Sequence, residues 1–144
     1  MRKLSEKSNS ILSTCHPDIQ KVIRLAITRS TVDFGISHGY RTPQEQNNLY
    51  QQGRTAPGNV VTQLDGFKKK SKHNENPSLA VDIYCWPVQI MYDEAHLCYV
   101  AGVIMSCAAE LGVALKWGNN WNNDGLLVCK DPSEKFSDMP HFEL

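Results

Sequence analysis

Two short segments contain residue types that together could bind a metal ion and transfer a proton. In the first, His73 is followed nine residues later by Asp82; in the second, Asp138 precedes His141 by three residues. Two imidazoles and a carboxylate are a ligand set of zinc sites that keep one position open, and a further carboxylate can act on bound water. We therefore take His73, Asp82 and His141 as candidate ligands and Asp138 as the candidate general base.

Arg41 is the candidate cation of this site. It follows a predicted strand and precedes Thr42-Pro43-Gln44-Glu45, which has the pattern of a capping box with Thr42 as N-cap and Pro43 in the first turn. A side chain at such a strand-to-helix corner can point into a cleft and stabilise a developing oxyanion. A structural salt bridge is the alternative role for Arg41.

The three other histidines have less distinctive surroundings. His16 lies just before a predicted helix and His96 in the first turn of another, so a capping or solvated position is favoured for both. His38 follows a strand close to Arg41. A structural role is favoured for His38, and lining the cleft is the alternative.

Strand alternation indicates how the candidate ligands could project from a sheet. Residues 80–86 predict a strand in which Asp82 lies on the face opposite the apolar side chains. Residues 141–144 predict the last strand, with His141 and Glu143 on one face. Both candidate ligands would then face a cleft rather than the core.

Apolar periodicity predicts the remaining elements. The expected helices span 17–29, 43–52 and 94–111. The expected strands span 32–38, 80–86, 113–117 and 141–144. Leu49 and Tyr50 are the expected buried residues of the second helix. Separate helices and strands favour the α+β class, with a small antiparallel sheet and flanking helices.

Length and charge restrict the possible functions. The 144 residues, 41% of them hydrophobic, predict one domain over 1–144, and we expect a monomer. With 15 basic and 15 acidic residues the formal net charge is zero, which disfavours nucleic-acid binding. The basic run at 68–72 is typical of a solvated loop, with attraction to an anionic polymer as the alternative. The sequence contains no apolar run long enough for stable membrane insertion.

The cysteines and the N-terminus suggest where the chain is made. The five cysteines are odd in number and include no CxxC pair, so we expect small buried hydrophobes in a reducing compartment. A thiolate metal site or a catalytic thiol is the alternative. The charged N-terminal residues 1–7 are not followed by an apolar segment, so we do not expect export by a signal peptide of its own.

The motifs resemble those of zinc peptidases of the D-alanyl-D-alanine carboxypeptidase and L-alanyl-D-glutamate endopeptidase group, and most of all its single-domain phage endolysins. The similarity extends from about residue 15 to the C-terminus. The matching positions of the two metal motifs are Ser71, His73, Ala80, Asp82, Asp138 and His141. Supporting matches are Gly39–Thr42, Gly53–Thr55 and Trp117–Trp121.

This resemblance implies that His73, Asp82 and His141 bind Zn2+, that Asp138 is the catalytic carboxylate and that Arg41 lies near the substrate. It also implies the small α+β fold shared with hedgehog-type domains. One departure is the nine-residue gap between His73 and Asp82, because the family places this Asp seven residues after the His, with a glycine between them. A longer loop can bulge outward without moving the ligands. Glu75 is the only other acidic residue in the gap.

The expected function is that of a zinc-dependent peptidoglycan peptidase, an endolysin that hydrolyses the stem peptide at the L-alanyl-D-glutamate bond during phage lysis. Such an enzyme would accumulate in the host cytoplasm and reach the cell wall after a holin opens the membrane. A D-alanyl-D-alanine carboxypeptidase is one alternative, although dipeptidases of the group tend to carry Glu where this chain has Asp138. A non-catalytic zinc-containing binding module is another. For Trp117 and Trp121, core packing is favoured, and lining a substrate groove is the alternative.

Overall fold

A four-stranded antiparallel sheet lies at the centre of the computed structural model, which describes residues 1–144. The strands are β1 (Asp33–His38), β2 (Ala80–Trp86), β3 (Lys116–Trp117) and β4 (His141–Glu143). The α-helices are α1 (Glu6–Leu12), α2 (Pro17–Arg29), α3 (Pro43–Gln51) and α4 (Glu94–Glu110). The predicted α+β class with a small antiparallel sheet and flanking helices is confirmed. None of the helices combines the length and apolarity needed to cross a bilayer.

The order of the strands brings distant parts of the chain together. The strands follow the order β1-β2-β4-β3 across the sheet, so the C-terminal strand β4 lies between β2 and β3. Asp82 in β2 is directly opposite His141 in β4. Because directly opposed residues of antiparallel strands project from the same face, this register brings their side chains together.

A β-bulge shapes the sheet where β1 ends. Ile36 pairs with Ile83 and His38 pairs with Asp82, so Ser37 is an extra residue in β1. A bulge bends its strand and redirects the side chains that follow. His38 is thereby placed beside Asp82, and the chain turns towards Arg41 and α3.

The core is formed mainly by α2, α4 and the inner face of the sheet. The apolar periodicity that predicted α2 reflects one stripe, and all of its residues are buried in the core: Ile19, Val22, Ile23, Ala26 and Ile27. Helix α4 buries a matching series and packs against α2. The strand residues Val81, Ile83 and Phe142 are fully buried against these helices. Asp82 and His141 point the other way, as their alternation predicted.

Two local expectations differ from the structure. Helix α3 buries Gln46, whereas Leu49 and Tyr50 are only half-buried, so that prediction is wrong. The predicted strand 113–117 is reduced to Lys116–Trp117, because Gly112, at φ 67°, ends α4 and the Val113 amide donates back to the Ala108 carbonyl.

Helix α1 was not predicted. It has only seven residues, too few for a periodic apolar pattern to stand out. The Ser5 side chain caps it by accepting a hydrogen bond from the Ser8 amide.

Candidate active site

Three side chains from separate segments converge at one end of the sheet. Asp82 and His141 project from β2 and β4, and His73 lies on a single 3-10 turn, Lys72–Asn74. Asp82 Oδ1 is 3.0 Å from His141 Nδ1, and Asp82 Oδ2 is 3.3 Å from His73 Nε2. The ligand atoms of the three residues all lie within 4.8 Å of one another. The structure therefore brings together the three candidate ligands identified from the sequence.

The long gap between His73 and Asp82 is accommodated by a loop that closes at its base. The Leu79 amide donates a hydrogen bond to the Lys72 carbonyl at 3.1 Å, while residues 75–77 are exposed. The additional residues thus extend into solvent without displacing Asp82. Glu75 is in this exposed part of the loop and is not a member of the triad.

The outer nitrogen of each imidazole is engaged by the protein. His73 Nδ1 is 2.7 Å from the Gly39 carbonyl, and His141 Nε2 is 2.9 Å from Glu143 Oε1. Because a carbonyl and a carboxylate only accept hydrogen bonds, both outer nitrogens carry the proton. The inner nitrogens face the oxygens of Asp82, and this cluster of acceptors needs a positive charge among them, supplied by a bound metal ion or, without one, by a proton. This donor set, with its ring orientations fixed from outside, fits a metal ion.

The pKa shifts of the site residues also favour a bound cation. Burial would raise the pKa of Asp82, but hydrogen bonds from His141 and His73 outweigh it and lower that pKa. Burial would lower the pKa of His141, but its hydrogen bonds with Asp82 and Glu143 outweigh it and raise the pKa to about 9. In the absence of a metal ion these groups favour holding a positive charge among them.

Backbone hydrogen bonds hold Asp138 on the side of the molecule where the triad lies. Its amide donates to the Gly118 carbonyl at 2.6 Å, and its carbonyl accepts from the His141 amide at 3.1 Å. Burial raises the pKa of the Asp138 carboxyl, and the negative charge of Asp82 adds to this shift. A carboxylate with a raised pKa can both accept and return a proton more readily at neutral pH. The carboxylate lines the same cleft as the triad.

Arg41 lies beside the triad. Its Nη2 is 4.0 Å from Asp82 Oδ2, and its side chain is only 13% exposed. The backbone fixes this position, because the Arg41 amide donates to the His73 carbonyl at 2.8 Å and Asn74 Nδ2 donates to the Arg41 carbonyl at 2.9 Å. The guanidinium also donates to Gln46 Oε1 at 2.8 Å. The arginine is thus placed to meet a group bound near the triad.

The triad opens into a cleft with a volume of about 810 Å³. Trp121 and Phe136 form part of its wall; their rings stack at 6.3 Å, and the Trp121 ring is 5.6 Å from that of His141. Trp117, in contrast, is 7% exposed and packs in the core. Of the two roles considered for these tryptophans, core packing holds for Trp117 and lining the cleft holds for Trp121.

The cysteines lie outside this cleft. All five are free, and Cys15, Cys85 and Cys107 are buried. Burial raises the pKa of Cys15 and of Cys85 to about 11, which keeps these two thiols protonated at neutral pH.

Glu143 and Gln46 contact the candidate site residues but were not identified as site residues from the sequence. Strand alternation does place Glu143 on the face of His141, so a weak signal existed. Gln46 gives no such signal, because an amide side chain in a short polar helix is expected on the surface.

Gly118 controls how closely β3 can approach Asp138. A Cβ atom at Gly118 would lie 2.1 Å from the Asp138 carbonyl oxygen. We expect Gly118→Ala to displace the segment that carries Asp138 and His141 and to lower kcat/KM by about 10²-fold, the cost of a misplacement of about 1 Å. Gly102→Ala is the matched control, because a Cβ there meets nothing within 4 Å. Equal activity of the two variants would show that this close approach is unimportant.

Comparison with known proteins identifies the family to which the chain belongs. The family model for phage L-alanyl-D-glutamate peptidases matches residues 1–144. The chain belongs to this family and is thereby an enzyme of the peptidoglycan-hydrolysing endopeptidase class. This confirms the resemblance found in the sequence.

Individual relatives agree with this assignment. The chain is 27% identical over 140 residues to the peptidoglycan L-alanyl-D-glutamate endopeptidase CwlK of Bacillus subtilis, covering 92% of this chain and 74% of CwlK. It is 28% identical over 123 residues to the L-alanyl-D-glutamate peptidase of Escherichia phage T5, covering 85% of this chain and 84% of that protein. The crystal structure of the Serratia marcescens L-Ala D-Glu endopeptidase ChiX superposes with a TM-score of 0.72 at 26% identity, covering 99% of this chain and 90% of ChiX.

Proposed function

We propose that this chain is a zinc endopeptidase that cuts the peptidoglycan stem peptide between L-alanine and D-glutamate. The observation that carries the proposal is the convergence of His73, Asp82 and His141 within 4.8 Å at a cleft that also contains the Asp138 carboxylate. Two imidazole nitrogens and a carboxylate oxygen suit zinc with an open coordination position. These three residues would hold the ion.

When bound, zinc lowers the pKa of a water molecule and polarises the scissile carbonyl. Asp138 accepts a proton from the attacking water and returns it to the amide nitrogen as the C–N bond breaks. The products are the carboxylate of L-alanine and a free amino group on D-glutamate. Arg41 donates hydrogen bonds towards the carbonyl oxygen as negative charge develops there.

Glu143 orients His141 for this role. It accepts a hydrogen bond from the Nε2–H of His141 at 2.9 Å, so Nδ1 would be the nitrogen that binds the ion. Outer carboxylates of this kind typically contribute about 10- to 100-fold to metal affinity. We therefore expect Glu143→Gln to weaken zinc binding within this range in a competition titration with a chelating dye. Glu94→Gln, at an exposed position on α4, is the control, and equal zinc affinity of the two variants would remove this role.

A defined peptide tests the proposed bond. The substrate is a stem pentapeptide that begins with L-alanyl-D-glutamate and ends in D-alanyl-D-alanine. Release of N-terminal L-alanine, with a new amino group on D-glutamate, is the expected result. Release of the terminal D-alanine would instead support the carboxypeptidase alternative, and no cleavage by zinc-loaded protein would support a binding module.

The lysis role follows from the same proposal. A single catalytic domain over 1–144, acting as a monomer, would accumulate in the host cytoplasm and reach the wall after holin-mediated release. The phage family and the single core cluster of 21 residues support this view. We expect expression in a Gram-negative host to cause lysis only when a holin is co-expressed, measured as a fall in culture turbidity. Lysis without a holin would contradict this route.

A further inference from the structure

One buried amide side chain connects Arg41 to the opposite part of the cleft. Gln46 is only 1% exposed. Its Oε1 accepts a hydrogen bond from Arg41 Nη1 at 2.8 Å. Its Nε2 donates to the Leu64 carbonyl at 2.9 Å and lies 3.3 Å from Thr62 Oγ1. A buried amide with both ends bonded to different segments fixes their relative position.

The segment that receives these bonds is a wall of the cleft with little support of its own. Residues 60–64 all line the cleft, and they belong to no helix or strand. Val60 and Val61 are 50% and 53% exposed. Besides the bonds from Gln46, the segment is held by Arg54, which donates to the Thr62 carbonyl at 3.2 Å and to Gln63 Oε1 at 3.1 Å. Gln46 is therefore one of the few side chains that fix the position of residues 60–64.

Packing around Gly66 shows how tightly the wall is joined to α3. Gly66 has a φ of +86°, and a Cβ there would lie 2.5 Å from the Pro43 carbonyl oxygen and 2.8 Å from the Gln46 Cβ. A larger residue would push the chain away from the helix. The glycine thus allows the backbone to pass close enough for Gln46 to reach Leu64.

We propose that Gln46 is a positioning residue that couples Arg41 to the wall formed by residues 60–64, so that one side chain sets both the aim of the guanidinium and the width of the peptide-binding cleft. The inference rests on the proposed function, in which Arg41 faces the scissile carbonyl and the stem peptide fills the cleft. An arginine without this bond would sample other rotamers, and restoring its geometry on binding would cost free energy.

Two substitutions separate the bond to Arg41 from the bonds to residues 60–64. Gln46→Leu removes both bonds, and we expect kcat to fall and KM to rise, with a loss in kcat/KM on the order of tenfold or more. Gln46→Glu keeps an acceptor for Arg41 but removes the N–H donors to the wall, so KM should rise about as much as in Gln46→Leu while kcat falls less. Hydrogen exchange at the Leu64 amide, which donates to Thr62 Oγ1 at 3.1 Å, should quicken in both variants. Gln44→Leu is the matched control, because Gln44 is exposed on the same helix and its side chain forms a hydrogen bond only with Asn48.

A double-mutant cycle gives the decisive comparison. In an Arg41→Ala background, Gln46→Leu should lose most of its effect on kcat, because the arginine it positions is gone. Equal losses in both backgrounds, or a Gln46→Leu variant indistinguishable from Gln44→Leu, would overturn the inference. Rates are normalised to folded protein, and Gln46→Met, which also lacks the amide but has a flexible side chain of similar length, supplies the same cycle if the leucine variant does not fold. Inactivity of the wild-type enzyme on the stem peptide would count against the proposed function, not against the coupling seen by hydrogen exchange.

Discussion

Replacing Asp138 with asparagine is expected to lower kcat by about 10²- to 10⁴-fold, the usual contribution of a positioned general acid–base group. Asparagine has nearly the same shape but cannot accept the proton of the attacking water. The fold should not depend on the charge, because the segment is held by backbone hydrogen bonds between Asp138, Gly118 and His141. The variant should therefore melt near the wild-type temperature and retain its metal ion.

Steady-state kinetics on the stem peptide, together with metal analysis of the same preparation, check this result. Asp18→Asn is a suitable control, because Asp18 lies in the first turn of α2, outside the cleft. An Asp138→Asn enzyme with wild-type kcat would remove the general-base assignment. A variant that loses its metal would show that Asp138 belongs to the ligand set instead.

Removing a ligand should have a different signature, in which metal retention and activity are lost together. Asp82 contacts both imidazoles, at 3.0 and 3.3 Å, so Asp82→Asn removes the negative charge at the centre of the triad. Even residues outside the ligand shell are worth about 10- to 100-fold in metal affinity, and we expect the loss for Asp82→Asn or His73→Ala to exceed this range. Zinc content after dialysis and a competition titration measure it.

Glu75→Gln is the matched control for this ligand assignment. Glu75 is the only other acidic residue between His73 and Asp82, and the structure places it in the exposed part of the loop. We expect this variant to keep both zinc and activity. If Glu75→Gln lost zinc while Asp82→Asn retained it, the assignment of Asp82 as a ligand would be wrong.

The residue types and strand alternation were sufficient to predict which side chains form the site, but not the strand order that brings them together. Period-two alternation placed Asp82 and His141 on the strand faces turned away from the core, and the structure agrees. Their direct opposition depends on β4 lying between β2 and β3. This order is set by packing of the whole chain, which local periodicity does not encode.

Buried polar side chains were the features that the sequence pattern did not predict. Leu49 and Tyr50 were the expected buried residues of α3, and nothing in the sequence distinguished Gln46, because polar residues are mostly exposed. In the structure the backbone carbonyl of Leu64 needs a donor at that position, and the amide supplies it. Such a demand arises only once the loop and the helix are packed together.

Mass spectrometry of purified peptidoglycan after digestion is the decisive measurement of zinc-dependent cleavage at D-glutamate. Zinc-loaded enzyme should create a new free amino group on D-glutamate, the cleavage should disappear when the metal is removed by chelation, and it should return when zinc is restored. Release of D-alanine with D-glutamate still amide-linked, or full cleavage by metal-free protein, would contradict the assignment of a zinc-dependent L-alanyl-D-glutamate endopeptidase.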